Sequence, residues 1–267
     1  GGDTLQPTLS RAQMKIALGD IAANLEKAAA WTAEAARRGS DMIVFPELWT
    51  TGCDWDNVQA LAEQQDETVS RVAELAKTNN IWINGSMLTL DDNAKPTNTS
   101  ILFDPHGEAT GVYRKIHLFG VMGEDQYLAP GQELVTVETP WGQSGLSVCY
   151  DLRFTEMFRT YALSGVNVVY VPAEWPHPRL AHWQTLLRAR AIENQMFMIG
   201  VNTVGSVGSY DFFGHSAIID PWGNTIIEGG EAEMLLTATI DTEQVAEVRK
   251  KIPVFADRRP ELYELRS

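Results

Sequence analysis

The sequence is poor in cysteine, in basic side chains and in long apolar runs, and each shortage excludes a class of protein. Two cysteines among 267 residues can form neither a disulfide framework nor a four-cysteine metal site. Lysine and arginine number 21 against 35 acidic residues, a formal charge of −14, which disfavours binding to nucleic acid or to an anionic membrane surface. No apolar run approaches the roughly 20 residues that span a bilayer. We therefore expect no nucleic-acid or membrane partner.

The same shortages bear on location and on cofactors. Residues 1–7 carry neither the basic region nor the apolar core of a signal peptide, and with so few cysteines this favours the cytoplasm. No glycine-rich stretch forms a phosphate loop. The histidines show no ligand spacing with cysteine or carboxylate partners; they are His106, His117, His177, His182 and His215. We expect neither a metal ion nor an organic cofactor.

What the sequence contains is an alternation of helical segments and short apolar runs. Asp20 is a suitable cap for a helix over 21–38, and a second helix is predicted at about 67–78. Consecutive strands over 81–88, 100–104 and 110–115 are separated by short turns and are predicted to be antiparallel. Further strands are predicted at 8–14, 42–45, 146–149, 166–171, 198–202, 216–220 and 235–240. The pattern indicates an α/β fold with mixed sheets, and with no linker in view we expect one domain over 1–267.

One stretch of the chain is repeated. Residues 39–49 align without a gap on residues 165–175, and in both a glycine ends a helix, an apolar strand follows and a proline stops the strand. Either the match is accidental or the fold has two similar halves related by a pseudo-twofold axis. The repeat places Glu47 and Trp175 just beyond the ends of strands, where ligands bind in open α/β sheets.

Three residues at predicted strand ends could carry chemistry together. Alone, Glu47 reads as a loop carboxylate, Lys115 as a surface cation and Cys149 as a packed thiol. Jointly they supply a base, a cation for developing negative charge, and a nucleophile. A thiol has an ordinary pKa of about 8.5, so a neighbouring base and cation have a clear purpose at neutral pH.

The segments around these residues resemble a known family. They read Val44-Phe-Pro-Glu-Leu-Trp49, Tyr113-Arg-Lys-Ile-His-Leu-Phe119 and Val148-Cys-Tyr-Asp-Leu-Arg-Phe154, and they are similar to the three signatures of the nitrilase superfamily of carbon–nitrogen hydrolases. The resemblance implies a four-layer αββα sandwich with mixed sheets and a catalytic triad of Glu47, Lys115 and Cys149. It also implies a second glutamate after the lysine, for which Glu124 is the candidate, positioning Lys115 and holding the substrate nitrogen.

Within the family, the chain looks most similar to the omega-amidase-like members. The likeness lies in residues 149–154, 182–195 and 214–223. It implies hydrolysis of the terminal amide of a small omega-amidated acid through a thioester on Cys149, with release of ammonia. A nitrilase or an N-carbamoyl amino acid amidohydrolase would use the same triad. A non-catalytic binding protein that retains the fold is the alternative of another class.

Substrate contacts and assembly are the last expectations. Arg179 is the candidate clamp for a substrate carboxylate, whereas Arg153 is expected to form a structural ion pair. The other candidate substrate contacts are Phe119, Tyr150 and Trp175. Family members pair, so we expect a homodimer or larger assembly. The apolar and aromatic tail over about 252–267 is either docked at a subunit interface or packed on its own subunit.

Overall fold

The computed structural model describes residues 4–263, which form fourteen strands and seven helices. The strands are β1 Thr8–Gln13, β2 Met42–Val44, β3 Trp82–Leu90, β4 Pro96–Phe103, β5 Ala109–Arg114, β6 Thr136–Thr139, β7 Gly142–Leu146, β8 Val166–Ala173, β9 Phe197–Asn202, β10 Val204–Val207, β11 Tyr210–Phe213, β12 Ala217–Ile219, β13 Thr225–Glu228 and β14 Met234–Thr239. The helices are α1 Ile21–Arg37, α2 Val58–Ala62, α3 Gln65–Asn79, α4 Glu124–Tyr127, α5 Thr155–Leu163, α6 Leu180–Asn194 and α7 Glu243–Lys251.

Two six-stranded sheets share one plan. The first has the order β14-β1-β2-β3-β4-β5 and the second the order β13-β12-β9-β8-β7-β6. Strands β1, β2 and β3 run parallel to one another in the first sheet, and β9, β8 and β7 do so in the second. The outer strands of both sheets pair antiparallel with their neighbours. The repeated sequence segments supply β2 and β8, which are the middle strands of the two parallel sets. The repeat therefore marks equivalent positions in the two sheets.

The sheets and helices stack in four layers. Helix α1 places an apolar stripe, including Leu25 and Ala28, against one face of the first sheet, and α3 adds Val72 and Ala76. The other face of that sheet packs on the second sheet, whose outer face is covered by α5 and α6. The predicted αββα sandwich with mixed sheets is confirmed.

The predicted boundaries of the helices lie close to the observed ones, whereas those of strands rich in polar residues lie further off. The Asp20 side chain caps α1, accepting a hydrogen bond from the N–H of Ala23 at 3.0 Å. Strand β4 begins at Pro96 rather than Ser100, because its polar first half is buried by pairing with β3. The hairpin of β10 and β11 was not predicted, since its glycine-rich and serine-rich sequence is typical of a loop.

The tail divides into a packed part and an exposed part. Phe255 packs against the core, with the guanidinium groups of Arg159 and Arg249 each 5.1 Å from its ring centre. Leu262 and Tyr263 are more than half exposed. Residues 1–3 and 264–267, the ends of the predicted domain and tail, lie outside the described residues. Among residues 4–263, none of the helices has the length and apolar character needed to cross a membrane.

Candidate active site

Cys149 lies where the second sheet turns into a helix-like segment. It begins a 3₁₀ turn over Cys149–Arg153, shortly after β7, and its backbone φ is +46°. A left-handed conformation costs a residue other than glycine about 1 to 3 kcal/mol and is common at active sites. The turn holds the side chain, which is 5% exposed, at the edge of the sheet. Both Cys149 and Cys53 are free thiols.

A buried aspartate ties this turn to the strand that carries Lys115. Asp151 accepts a hydrogen bond from the Tyr113 hydroxyl at 2.6 Å and contacts His117 Nδ1 at 2.8 Å. These two partners flank Lys115 in sequence. Asp151 also accepts a bond from the N–H of Val148 at 2.9 Å. The orientation of Lys115 relative to Cys149 is therefore supported by two buried hydrogen bonds and one partly buried contact with His117.

Lys115 is held between two carboxylates. Its Nζ lies 2.7 Å from Oε2 of Glu47 and 2.7 Å from Oε1 of Glu124. Asn98, which the sequence interpretation placed outside a strand and missed, donates to both carboxylates, at 2.8 Å to Glu47 and 3.3 Å to Glu124. All four side chains are buried. The geometry brings Glu47, Lys115 and Glu124 into one hydrogen-bonded cluster, as the resemblance implied.

The electrostatics of this cluster keep the lysine charged. Burial by itself lowers the pKa of Lys115, but the carboxylates of Glu124 and Glu47 outweigh burial and hold that pKa well above its ordinary value. Burial raises the pKa of Glu124, against the opposing effect of Lys115. The site therefore favours the charged form of Lys115.

The thiol of Cys149 is protonated at rest. Burial raises its pKa well above the ordinary value and the neighbouring Glu47 carboxylate adds to this rise, while Lys115 and the backbone N–H of Glu174 act in the opposite direction. A protonated thiol is a weak nucleophile. The arrangement therefore needs a base at the sulfur, and Glu47 is the carboxylate beside it.

A narrow cleft opens onto Cys149. All four residues that the sequence analysis proposed as substrate contacts line it: Phe119, Tyr150, Trp175 and Arg179. Arg153, Glu174 and Pro176 complete the lining. Aromatic rings form much of the wall, with Phe119 and Tyr150 ring centres 4.9 Å apart.

Two arginines face this cleft without a carboxylate partner among residues 4–263. The guanidinium of Arg153 lies 4.8 Å from the Trp175 ring centre and that of Arg179 lies 5.8 Å from the Phe119 ring centre. Burial lowers the pKa of Arg153, and the nearby charge of Arg179 lowers it further. The expected structural ion pair of Arg153 is not formed; its recorded polar contact is with His182 Nδ1, at 3.1 Å. The two positive charges lie close enough together to affect one another.

Glu174 is a further buried acid that the sequence interpretation did not single out. It follows β8 directly, and its backbone N–H donates to Glu47 Oε1 at 3.1 Å. Its own carboxyl accepts a hydrogen bond from the Cys53 thiol at 2.7 Å. The sequence shows an acidic residue beside Trp175 at the end of a predicted strand. Its burial could not be predicted, because its partner Cys53 lies 121 residues away in the sequence. Within residues 4–263, no cluster of histidine, cysteine, aspartate or glutamate is arranged to hold a metal ion.

A four-layer αββα sandwich that brings a cysteine, a lysine and glutamates together at its strand ends defines the class of carbon–nitrogen hydrolases. The chain belongs to this family, because the carbon-nitrogen hydrolase model matches residues 8–250. The nitrilase-superfamily resemblance is confirmed, and the protein is an enzyme of amide C–N hydrolysis.

Relatives place the chain near the omega-amidases. It is 41% identical to the 2-oxoglutaramate amidase of Bacillus subtilis (strain 168), over 96% of this chain and 99% of that protein. It is 32% identical to omega-amidase NIT2 of Mus musculus, over 91% of this chain and 92% of that protein. The similarity to the omega-amidase-like branch is thereby confirmed.

Solved structures share the fold. A CN-hydrolase superfamily protein from Xanthomonas campestris with an arsenic adduct in its active site superposes with a TM-score of 0.90 at 30% identity, covering 98% of this chain and 99% of that one. An amidase from Nesterenkonia sp. AN1, a cysteine-to-alanine mutant in complex with butyramide, gives a TM-score of 0.86 at 28% identity, covering 96% and 95%.

Proposed function

We propose that the protein hydrolyses the terminal amide of a small omega-amidated acid, such as a 2-oxo acid monoamide, through a thioester on Cys149. The observation that carries the substrate class is the unpaired arginine couple, Arg153 and Arg179, in the cleft that holds Cys149. An omega-amide acid presents an amide at one end and a carboxylate at the other. The carboxylate would relieve the repulsion between the two guanidinium groups while the amide reaches the sulfur.

The reaction begins with attack by Cys149 on the amide carbonyl. Glu47 accepts the thiol proton as the S–C bond forms, and Lys115 with a backbone N–H near Cys149 or Tyr150 stabilises the oxyanion. Glu47 then passes the proton to the departing nitrogen as the C–N bond breaks, releasing ammonia and leaving the thioester. Water, deprotonated by Glu47, attacks the thioester carbonyl. The C–S bond then breaks, the acid is released, and Glu47 gives its proton to the Cys149 sulfur, which restores the thiol.

Glu124 has a positioning role in this scheme. Its carboxylate and that of Glu47 hold the Lys115 ammonium from two sides at 2.7 Å, so the cation does not need to reorganise when the oxyanion forms. Asn98 holds both carboxylates in turn. This support comes from rigid strands and buried hydrogen bonds, as preorganised catalysis requires.

The relatives support the same substrate class. Proteins named 2-oxoglutaramate amidase and omega-amidase match over nearly their whole length. A glutamate-to-glutamine mutant of the Nesterenkonia amidase shows covalent addition of the acetamide moiety of fluoroacetamide at its active-site cysteine. That observation on a protein 28% identical to this one supports Cys149 as the nucleophile here.

The test is a substrate panel measured on the wild-type enzyme. Ammonia release is followed with 2-oxoglutaramate, butyramide, butyronitrile and an N-carbamoyl amino acid. We expect kcat/KM for 2-oxoglutaramate to exceed that for neutral butyramide by at least about tenfold, the magnitude of one charged hydrogen bond. Faster turnover of the nitrile or the N-carbamoyl compound would replace this proposal with the corresponding rival.

A further inference from the structure

A second cavity approaches the active site from a different side. It is open to solvent at its rim, and its lining includes Cys53, Trp55, Met122, Tyr210 and Phe212. Glu174 lines this cavity and also the substrate cleft. The Glu174 side chain, which is hydrogen-bonded to the Cys53 thiol, is therefore common to the two spaces.

The Glu174 carboxyl is unusual in its contacts. The residue is 1% exposed, and no lysine, arginine or histidine of residues 4–263 lies within ion-pair distance. Oε2 accepts the hydrogen bond from Cys53, but Oε1 has no partner within the described chain. Buried polar atoms almost always have a partner, which is a water molecule or ligand where the protein supplies none. The free Oε1 therefore indicates a small hydrogen-bonding guest.

The charge of Glu174 suits a neutral guest. Burial raises its pKa well above the ordinary value, and the Glu47 carboxylate raises it further. The shift favours the protonated carboxyl group, which can both donate and accept a hydrogen bond. Water and ammonia share this property, and both are small enough to pass between side chains.

The proposed reaction has a use for such a route. Once the thioester forms on Cys149, the acyl group occupies the cleft, with its carboxylate, on the proposed function, between the two arginines. Ammonia must leave and water must enter before the cleft is emptied. The acyl group then lies in the cleft by which the substrate entered, and a passage on the Glu174 side would let the two small molecules go around it.

We propose that the second cavity is the passage for ammonia and for hydrolytic water, with the Glu174 carboxyl and the Cys53 thiol as its hydrogen-bonding gate. This rests on the proposed thioester mechanism. No bond to Glu174 is made or broken: the proton that leaves with ammonia comes from Glu47, and the proton of the attacking water returns to Glu47. Glu174 is thus a positioning residue for the two small molecules.

The experiment uses substitutions that close the passage, and it measures acylation of Cys149 separately from hydrolysis of the thioester. Cys53→Phe fills the cavity beside Glu174, and Ser209→Trp adds bulk at its exposed rim. Gln132→Trp, in an exposed groove elsewhere on the surface, is the matched control. Each variant is assayed with 2-oxoglutaramate, and acid-quenched samples are weighed by intact-protein mass spectrometry.

We expect slower deacylation in both blocking variants. For Cys53→Phe, kcat falls at least about tenfold and KM falls with it, because deacylation is the slowed step. The value of kcat/KM falls less than kcat does, and only as far as ammonia held behind the block reverses acylation. We expect Ser209→Trp to lower kcat and KM as well, as Cys53→Phe does. The acyl-enzyme accumulates in both, whereas Gln132→Trp matches wild type.

Two outcomes overturn the passage. One is wild-type kcat in both blocking variants; the other is a parallel fall of kcat and kcat/KM with no accumulated acyl-enzyme, which would reveal damage to the catalytic cluster. Failure of the proposed function looks different, because wild-type enzyme quenched during turnover would then carry no acyl group on Cys149.

Discussion

The ammonium of Lys115 lies 2.7 Å from the carboxylate of Glu47, and the two side chains are only 1% and 4% exposed. Burying such a pair costs several kcal/mol per ion, which close contact and further hydrogen bonds must offset. Asn98 and the backbone N–H of Glu174 supply those bonds to Glu47. An arrangement this costly to fold is typical of a site kept for its chemistry.

Removing either charge of this pair is expected to abolish most activity. Glu47→Gln keeps the shape but loses the base, so kcat should fall at least about 10²-fold. Lys115→Met removes the cation facing the oxyanion and should cost on the order of 10²-fold or more. Glu124→Gln leaves the Lys115–Glu47 contact in place and should cost about tenfold. Steady-state ammonia release measures all three.

The control for these variants is a surface ion pair. Lys27 and Glu233 lie 2.6 Å apart with both side chains at least one-third exposed, so Lys27→Met should leave kcat and KM unchanged. Kinetic constants within threefold of wild type for Glu47→Gln or Lys115→Met would contradict the proposed triad.

The arginine couple gives a prediction about substrate charge. Arg179→Ala should raise KM for 2-oxoglutaramate by about tenfold or more and leave KM for butyramide unchanged, because only the acid has a carboxylate to lose its partner. Arg153→Ala should act in the same direction. Arg188→Ala, on α6 but bonded to Thr225, is the control. Equal effects on the charged and neutral amides would show that Arg179 has a structural role.

Substitution of Arg11 by an apolar residue is expected to stabilise the folded protein. Its side chain is fully buried in β1, none of its three guanidinium nitrogens has a partner within residues 4–263, and burial lowers its pKa to about 9. An unpaired buried cation is costly. Arg11→Met should therefore raise the free energy of unfolding by about 1 to 4 kcal/mol.

Chemical denaturation of Arg11→Met, wild type and the exposed-site control Arg37→Met provides the measurement. Arg37 pairs with Glu34 on the surface, so its substitution should change stability by no more than about 0.5 kcal/mol. Destabilisation of Arg11→Met would show that the guanidinium has a partner such as a bound anion or water.

Assembly remains a prediction. The C-terminal residues Leu262 and Tyr263 are exposed apolar side chains, while Phe255 is packed on its own subunit. We expect a homodimer or larger even-numbered assembly that covers the exposed pair. Light scattering at micromolar concentration should give at least twice the 29.6 kDa of one chain. A monomeric mass would remove the prediction.

The sequence predicted those parts of the fold that are encoded locally. Apolar runs such as residues 166–171 become central strands because both faces are covered, and Asp20 caps α1 through its own side chain. The start of β4 was not predictable in this way. Pro96, Thr97 and Asn98 are polar or strand-breaking residues, and they are buried only because β3 pairs with them.

The site shows the same division. Glu47, Lys115 and Cys149 stand in motifs at strand ends, so their proximity could be expected from sequence. The burial of Glu174 could not, since its carboxyl meets Cys53 across a long sequence separation. Arg153 was expected to pair with an acid, yet its neighbours are Trp175 and a second arginine. Which charges lack partners is decided by tertiary packing.

The most direct test of the account is the identity of the acylated sulfur. Wild-type enzyme is quenched with acid during turnover of 2-oxoglutaramate, digested, and analysed by mass spectrometry, with Cys149→Ala and Cys53→Ala in parallel. The account predicts an acyl adduct on Cys149, retained in Cys53→Ala and lost together with all turnover in Cys149→Ala, whose fold stays intact by circular dichroism. An adduct on Cys53 alone, or turnover by Cys149→Ala, would contradict it.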